Sequence, residues 1–185
     1  MPVISVIIPV YNCEKYLPVT LDAVLNQTFS DFEIIAVNNS SPDGCLRILQ
    51  DYAERDARIR VLTRPNGGAG MARNAALEIA RGDFIVFCDG DDLLSPKTLE
   101  ILLSVQNKTN ADVVCHGFKR IGGDATINDT VPDESIKKIR TASGFAPLLY
   151  KNINIFSCCK LYRRSLFDNL RFPAVKIAED FYTTF

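Results

Sequence analysis

The sequence predicts an α/β protein, with a mostly parallel central sheet flanked by helices and a small mixed or antiparallel part toward the C-terminus. Three observations carry this. Apolar runs dense in β-branched residues recur at 3–10, 33–37, 59–62 and 83–88. Segments of about 10–15 residues with helical periodicity separate them, the mark of right-handed βαβ crossovers. Beyond residues 111–118 the alternation weakens, which implies mixed pairing for the remainder.

Each element has its own signal. VISVIIPV (3–10) reads as a strand buried on both faces. Leu17, Leu21, Val24 and Leu25 fall at i, i+4, i+7 and i+8, so 14–27 is a helix with one apolar face. EIIAV (33–37) is the second strand, followed by the polar turn NNSSPDG (38–44). Leu46, Leu49, Tyr52 and Ala53 mark the next amphipathic helix, IRVL (59–62) the third strand, and PNGG (65–68) a turn. An alanine-rich helix spans 69–81 and DFIVFC (83–88) is the fourth strand. Ser95 as N-cap with Pro96 at the first helical position starts a helix that runs to about residue 107. ADVVCHGF (111–118) is a further strand, and 119–135, with Gly122, Gly123 and Pro132, a surface loop or hairpin. EDFYTTF (179–185) opens a helix with no stop signal, so the chain is expected to continue.

Composition narrows the class. Of 185 residues, 47% are hydrophobic and 23% charged, and the net charge of −1 gives no reason to expect nucleic acid. No apolar run approaches the roughly 20 residues of a membrane span, and no basic-then-apolar leader is present, so a cytoplasmic location is expected. The six cysteines form no C-x-x-C pair, adjacent Cys158 and Cys159 would not close an ordinary disulfide, and His116 is the one histidine. A zinc site therefore has too few well-spaced ligands, and the thiols read as buried apolar groups in a reducing compartment.

In parallel sheets ligands gather outside the carboxyl ends of the strands, which singles out three loops: Tyr11-Asn12, Asn38 to Gly44, and Asp89 to Asp92. The sharpest is CDGDDLLSP (88–96), where Asp89, Asp91 and Asp92 follow a buried strand. Such clustering costs repulsion of about 1 kcal/mol per exposed close pair unless a cation or hydrogen bonds compensate. Read by themselves, these acids fit a hard divalent cation or a solvated acidic loop before a helix. No G-x-G-x-x-G follows the first strand and no G-x-x-x-x-G-K-[ST] occurs, which excludes a dinucleotide oxidoreductase and a P-loop enzyme. A glycine- and arginine-rich loop, as in sugar nucleotidylyltransferases, is also missing after strand one.

Taken in order, SVIIPVYNCEKYLPVTLDAVLNQTF (5–29), DFEIIAVNNSSPDG (31–44), NGGAGMARNAAL (66–77), GDFIVFCDGDDLLSP (82–96) and CKLYRRSLF…RFP…AEDF (159–181) resemble family 2 glycosyltransferases. The resemblance implies the GT-A fold, with 1–110 as a nucleotide-sugar binding subdomain and 111–185 as the start of a truncated acceptor-side subdomain. It implies inverting transfer from a nucleotide-sugar, a UDP-sugar above all, to an unknown glycan or lipid-linked acceptor, and so peripheral membrane association outside this segment. Asp91 is then the ligand of Mn²⁺ or Mg²⁺ on the donor diphosphate. Asp89, with Gly90 in the same D-x-D motif, lies by the ribose or the metal's water shell, and Asp92 touches the sugar or caps the next helix. Pro9, Tyr11 and Asn12 belong to the loop that cradles the base, with Tyr11 stacking on it. Arg73 points toward the nucleotide; read from the residues alone, it sits on a solvated helix face instead. Asp180 of the Glu179-Asp180 motif is the general base. Asn38 and Asn39 stand where the family has two aspartates, yet the Asn39 amide can still pair with uracil. The departure leaves a second reading open, a catalytically inactive nucleotide-sugar-binding module.

Overall fold

The structure, a computed structural model, describes residues 1–117 and 157–174. In chain order the elements are β1 (Ile4–Val10), α1 (Leu17–Leu25), β2 (Phe32–Asn38), α2 (Cys45–Arg55) and β3 (Ile59–Thr63). Then follow α3 (Ala69–Leu77), β4 (Phe84–Phe87), α4 (Thr98–Thr109), β5 (Val113–Cys115) and β6 (Lys160–Arg163), with a 3-10 turn at Arg164–Phe167. The expected fold class holds: a six-stranded sheet in the order β3-β2-β1-β4-β6-β5. β1, β2, β3 and β4 pair in parallel, whereas β6 pairs antiparallel with both β4 and β5.

Every residue of β1 and β2 is buried, as their mostly apolar sequences require of strands covered on both faces, and the buried Ser5 hydroxyl donates to Glu33 Oε1 (2.8 Å). The period of two divides them between two cores. Ile4, Val6, Ile8 and Val10 face α1, α2 and α4 through Leu17, Leu21, Val24, Leu49, Leu99 and Leu102. Ile7, Ile35 and Val37 face α3 through Ala72, Ala76 and Leu77, and share that core with Phe87, Tyr162, Phe167 and Phe172. The small alanines let α3 lie close on the sheet.

Three expected boundaries move, and local hydrogen bonds mark each of them. The first helix starts at Leu17 rather than residue 14, since the Glu14 N–H donates to Asp43 Oδ2 (3.0 Å) and those of Tyr16 and Leu17 turn back to the Cys13 carbonyl (2.9 Å each). The alanine-rich helix stops at Leu77, not 81, where the Arg81 N–H donates to Glu33 Oε1 (2.7 Å) and that of Gly82 to Ser5 Oγ (2.9 Å). Ser95 does not cap α4, which starts at Thr98. Residues 95–98 form a turn tied to the end of α1: Gln27 Nε2 donates to the Ser95 carbonyl (2.7 Å), and Gln27 Oε1 accepts from the Leu99 N–H (3.1 Å). A glutamine from another helix thus satisfies one of the orphan donors of α4.

β5 is shorter than the expected 111–118, and its last expected residue, Phe118, lies outside the described residues, as do 119–135 and 179–185. Cys13, Cys45 and Cys88 are buried as expected, but Cys115 is exposed and Cys158 and Cys159 are half-buried. Among the described residues no helix is long and apolar enough to cross a membrane.

Strand order places the candidate site. The chain moves outward from β1 to β2 and β3, then crosses back so that β4 lies on the other side of β1. Connections leave β1 and β4 in opposite directions at this switch point, opening a crevice at their carboxyl ends.

Candidate nucleotide and metal site

Loop 11–16 leaves β1 at this crevice. Asn12 takes a positive φ of 53°, and its N–H donates to Ser41 Oγ (2.7 Å) in the loop after β2. Glu14 Oε2 accepts from the Gly44 N–H (2.7 Å), and Ser41 Oγ–H donates to Asp43 Oδ1 (2.6 Å), so the two loops are fastened together. Burial works to raise the Asp43 carboxyl, but hydrogen bonds from Ser41, Cys45 and Glu14 outweigh it and hold the group well below the usual carboxylate range. Tyr11 stands at the rim with 51% of its surface exposed, an aromatic face left open to a ligand.

The loop after β2 is held from within. Asn38 Oδ1 accepts from the Ser41 N–H three residues on (3.1 Å), which closes the loop on its first residue. Asn39 is 3% exposed. Its amide donates to Asn66 Oδ1 (3.1 Å) and the Gly68 carbonyl (3.2 Å), while its oxygen accepts from the Gly67 N–H (3.3 Å). In this state the Asn39 amide, expected to read a base, fastens the glycine turn that precedes α3. Gly68 adopts φ 86° there, a conformation that favours glycine.

Beneath the acidic loop lies Arg73, 2% exposed. The solvated helix face that its residue pattern allowed is not where it sits. Its Nη2 donates to Asp89 Oδ1 (2.8 Å), and its guanidinium lies 5.9 Å from the Phe87 ring centre and 5.4 Å from that of Phe172. Among the described residues, the rings of Phe87 and Phe172 and the Asp89 carboxylate hold this cation in the interior. Arg73 reaches the crevice through Asp89, which is 37% exposed.

The acids separate by position. Asp91 and Asp92 are exposed and Asp89 is half-buried, and the Asp92 N–H closes a turn onto the Asp89 carbonyl (3.0 Å). Because α4 begins at Thr98, Asp92 is too far upstream to cap it. Desolvation, then the charges of Asp89 and Asp91, push the Asp92 carboxyl up to about 6. Crowded negative charge of this kind suits oxygen ligands for a hard divalent cation. Gly90 packs against β1: a Cβ built on it would lie 3.3 Å from the Pro9 carbonyl and 2.8 Å from Cys13 Sγ, and its own carbonyl accepts from Thr20 Oγ1 (3.1 Å).

Pro9, Tyr11, Asn12, Asn39, Arg73, Asp89, Gly90 and Asp91 therefore all belong to segments converging on the carboxyl ends of β1, β2 and β4. Asp180 and Glu179 lie outside the described residues. Sequence reasoning passed over Cys158, which forms a bridge with Phe87 just before β6; its Sγ and carboxylate oxygens of Asp89 and Asp92 lie within 4.8 Å of one another. No spacing rule could have found it, since the antiparallel return of β6 alone brings it to the loop. His116, which carried no expected role, is half-buried with Nδ1 2.6 Å from the Gly117 carbonyl oxygen.

The family model described as glycosyl transferase family 2 matches residues 5–171. The uncharacterized glycosyltransferase EpsJ of Bacillus subtilis (strain 168) is 37% identical over 187 residues, covering 97% of this chain and 54% of that protein. The poly(ribitol-phosphate) beta-N-acetylglucosaminyltransferase TarS of Staphylococcus aureus (strain Mu50) is 32% identical over 182 residues, covering 95% of this chain and 30% of TarS. A crystal structure of S. aureus TarS 1-349 in complex with UDP-GlcNAc superposes with a TM-score of 0.81 at 28% identity, covering 100% of this chain and 52% of that one. The chain thus spans about half the length of EpsJ and a smaller part of TarS.

Proposed function

The chain belongs to glycosyltransferase family 2, and on that premise we propose that it is the donor-binding part of an enzyme that moves a sugar from a UDP-sugar to a glycan or lipid-linked acceptor with inversion. The observation that carries this is that the loops leaving the adjacent strands β1 and β4 at their carboxyl ends bear an open aromatic, Tyr11, and three carboxylates, Asp89, Asp91 and Asp92. The complex of TarS with UDP-GlcNAc supports a uridine donor.

In this reading Tyr11 stacks on the base, with Pro9 and Asn12 shaping the loop around it, an interaction of about 1–3 kcal/mol. Asn39 either turns its amide to the base or keeps the 66–68 turn in place beside it. Asp89, fixed by Arg73, receives the ribose hydroxyls. Asp91, exposed in that loop, would hold the divalent cation. Bound there, Mn²⁺ or Mg²⁺ would supply positive charge to a leaving diphosphate. Asp180 takes the proton of the acceptor hydroxyl as general base. Residues 1–110 form the donor subdomain in this proposal, and 111–185 begin the acceptor side. The protein works in the cytoplasm, and its acceptor brings it to a membrane surface.

A panel of nucleoside diphosphates and UDP-sugars, with and without Mn²⁺, tests the reading by thermal shift, since a ligand that binds only the folded state raises its apparent stability. UDP and a UDP-sugar should raise the midpoint only with the metal; no shift with any member would overturn it. One observation favours an inactive binding module instead: Asn38 and Asn39 stand in place of acids, and the amide of Asn39 is already engaged. UDP released only when a sugar donor is supplied separates the enzyme from the module.

A further inference from the structure

Cys158 has no part in the proposed donor site, yet it lies against the same loop. Its Sγ and one carboxylate oxygen each of Asp89 and Asp92 lie within 4.8 Å of one another. The three ligand atoms come from two remote segments, and the backbone of each is already fixed. A turn hydrogen bond of 3.0 Å joins Asp92 to Asp89, and Cys158 is bridged to Phe87, the last residue of β4. A second thiol stands beside the first, with Cys159 Sγ 4.0 Å from Cys158 Sγ.

The donor set decides the kind of ion. Thiolate is a soft ligand that Mg²⁺ disfavours and zinc-class cations favour, and carboxylates complete such sites readily. Zinc bonds of about 2.0–2.3 Å put tetrahedral ligand atoms about 3–4 Å apart, so closure from a spacing within 4.8 Å needs contraction of at most about an ångström or two. Asp91 is not one of the three, which distinguishes this set from the one assigned to Mn²⁺ or Mg²⁺ above.

We propose that Asp89, Asp92 and Cys158 form a three-ligand site for a thiophilic divalent cation of the zinc class, overlapping the donor crevice through Asp89. A cation seated there engages the Asp89 carboxylate that the donor reading assigns to the ribose, so zinc and a nucleotide donor compete for that side chain. The ligand set itself does not rest on the donor reading, and the two are tested by different signals.

The reduced protein is titrated with Co²⁺, and the thiolate-to-cobalt charge-transfer band is followed, with Zn²⁺ then added as competitor. A saturable band displaced by Zn²⁺ is expected, and Cys158→Ser should abolish it and weaken Zn²⁺ binding by about tenfold or more. Cys159→Ser should keep the band. Absence of a band in the unaltered protein, or a band of full strength in Cys158→Ser, overturns the proposal. The Mn²⁺-dependent thermal shift with UDP, measured on Cys158→Ser, reports on the donor site alone.

Discussion

Arg73 Nη2 sits 2.8 Å from Asp89 Oδ1 and approaches it from the interior, so the half-exposed carboxylate of the acidic loop is anchored to a cation that solvent barely reaches. The pair links the α3 core to the crevice: Arg73 is packed against Phe87 and Phe172, and Asp89 is its projection to the surface. Arg73→Met keeps much of the packing volume but removes the partner of Asp89. The expected loss of stability is about 1–2 kcal/mol, below the cost of breaking a fully buried pair because water screens Asp89. Urea unfolding measures it. A released Asp89 should also weaken UDP binding in Mn²⁺, and calorimetry with unchanged affinity would mean that Asp89 needs no anchor.

Asp92 makes the fold sensitive to pH. Its carboxyl is raised from an ordinary 3.8 to about 6, first by the partial loss of hydration that its neighbours impose although the residue reaches the surface, and next by the charges of Asp89 and Asp91. The folded state thus binds this proton more tightly than the unfolded chain, so its contribution is full below about pH 4 and is lost as pH rises through about 6. Asp92→Asn should therefore be more stable than the unaltered protein at pH 8, with the gap closing toward pH 4. Asp92 is exposed, so the gap should stay near or below about 1 kcal/mol. Denaturation midpoints across pH measure it; a gap that widens on acidification would contradict the assignment. A divalent cation at the loop should narrow it at pH 8.

The fold was legible because β1, β2 and β4 declare themselves by runs rich in apolar, β-branched residues, and the loops after them carry polar groups. What sequence could not show were choices made by contacts between distant residues. Ser95 followed by Pro96 has the form of a helix start, yet Gln27 draws that segment into a turn and caps α4 itself. Arg73 had two readings from local pattern, one toward a ligand and one toward solvent; the aromatic ring pair behind Asp89 is visible only when β4 and Phe172 come together. Cys158 carried no signal, because its neighbours Asp89 and Asp92 belong to another strand's loop.

Asn39 offers a test of what the amide does before any ligand arrives. An aspartate there can still accept from the Gly67 N–H, but it cannot donate to Asn66 Oδ1 or the Gly68 carbonyl, and would face both as an acceptor. Asn39→Asp should therefore destabilise the ligand-free protein by about 1–3 kcal/mol, the usual cost of leaving buried polar groups unpaired. Unfolding in the absence of nucleotide measures this. If the amide also reads the base, the variant should prefer UDP over CDP by a wider margin than the unaltered protein in competition titrations. Loss of stability with unchanged base choice would make Asn39 a fastener of the turn and nothing more.

Gly90 tests how tightly the acidic loop is pressed onto β1. A Cβ at this position would stand 2.8 Å from Cys13 Sγ and 3.3 Å from the Pro9 carbonyl oxygen. The first contact is closer than Cβ atoms tolerate, and Cys13 has little room to retreat, being buried with its sulfur 3.8 Å from Cys45 Sγ. Burial, then the neighbouring Cys45, push the Cys13 thiol up to about 12, so it is a neutral packing atom that a smaller side chain can replace without loss of charge. Gly90→Ala alone should cost about 1–3 kcal/mol, the range for overfilling a packed site, and should lift Asp89 and Asp91 with the loop. Cys13→Ala alone should cost less, since it removes one sulfur. Made together, the two changes exchange sulfur for methyl in the same space, and the double variant should be more stable than the sum of the single losses by about 0.5–3 kcal/mol, the coupling expected of residues in contact. Chemical denaturation of all four proteins yields that coupling energy. Strict additivity would mean that the loop yields elsewhere, through the Thr20 hydrogen bond to the Gly90 carbonyl, and that Cys13 does not set its height.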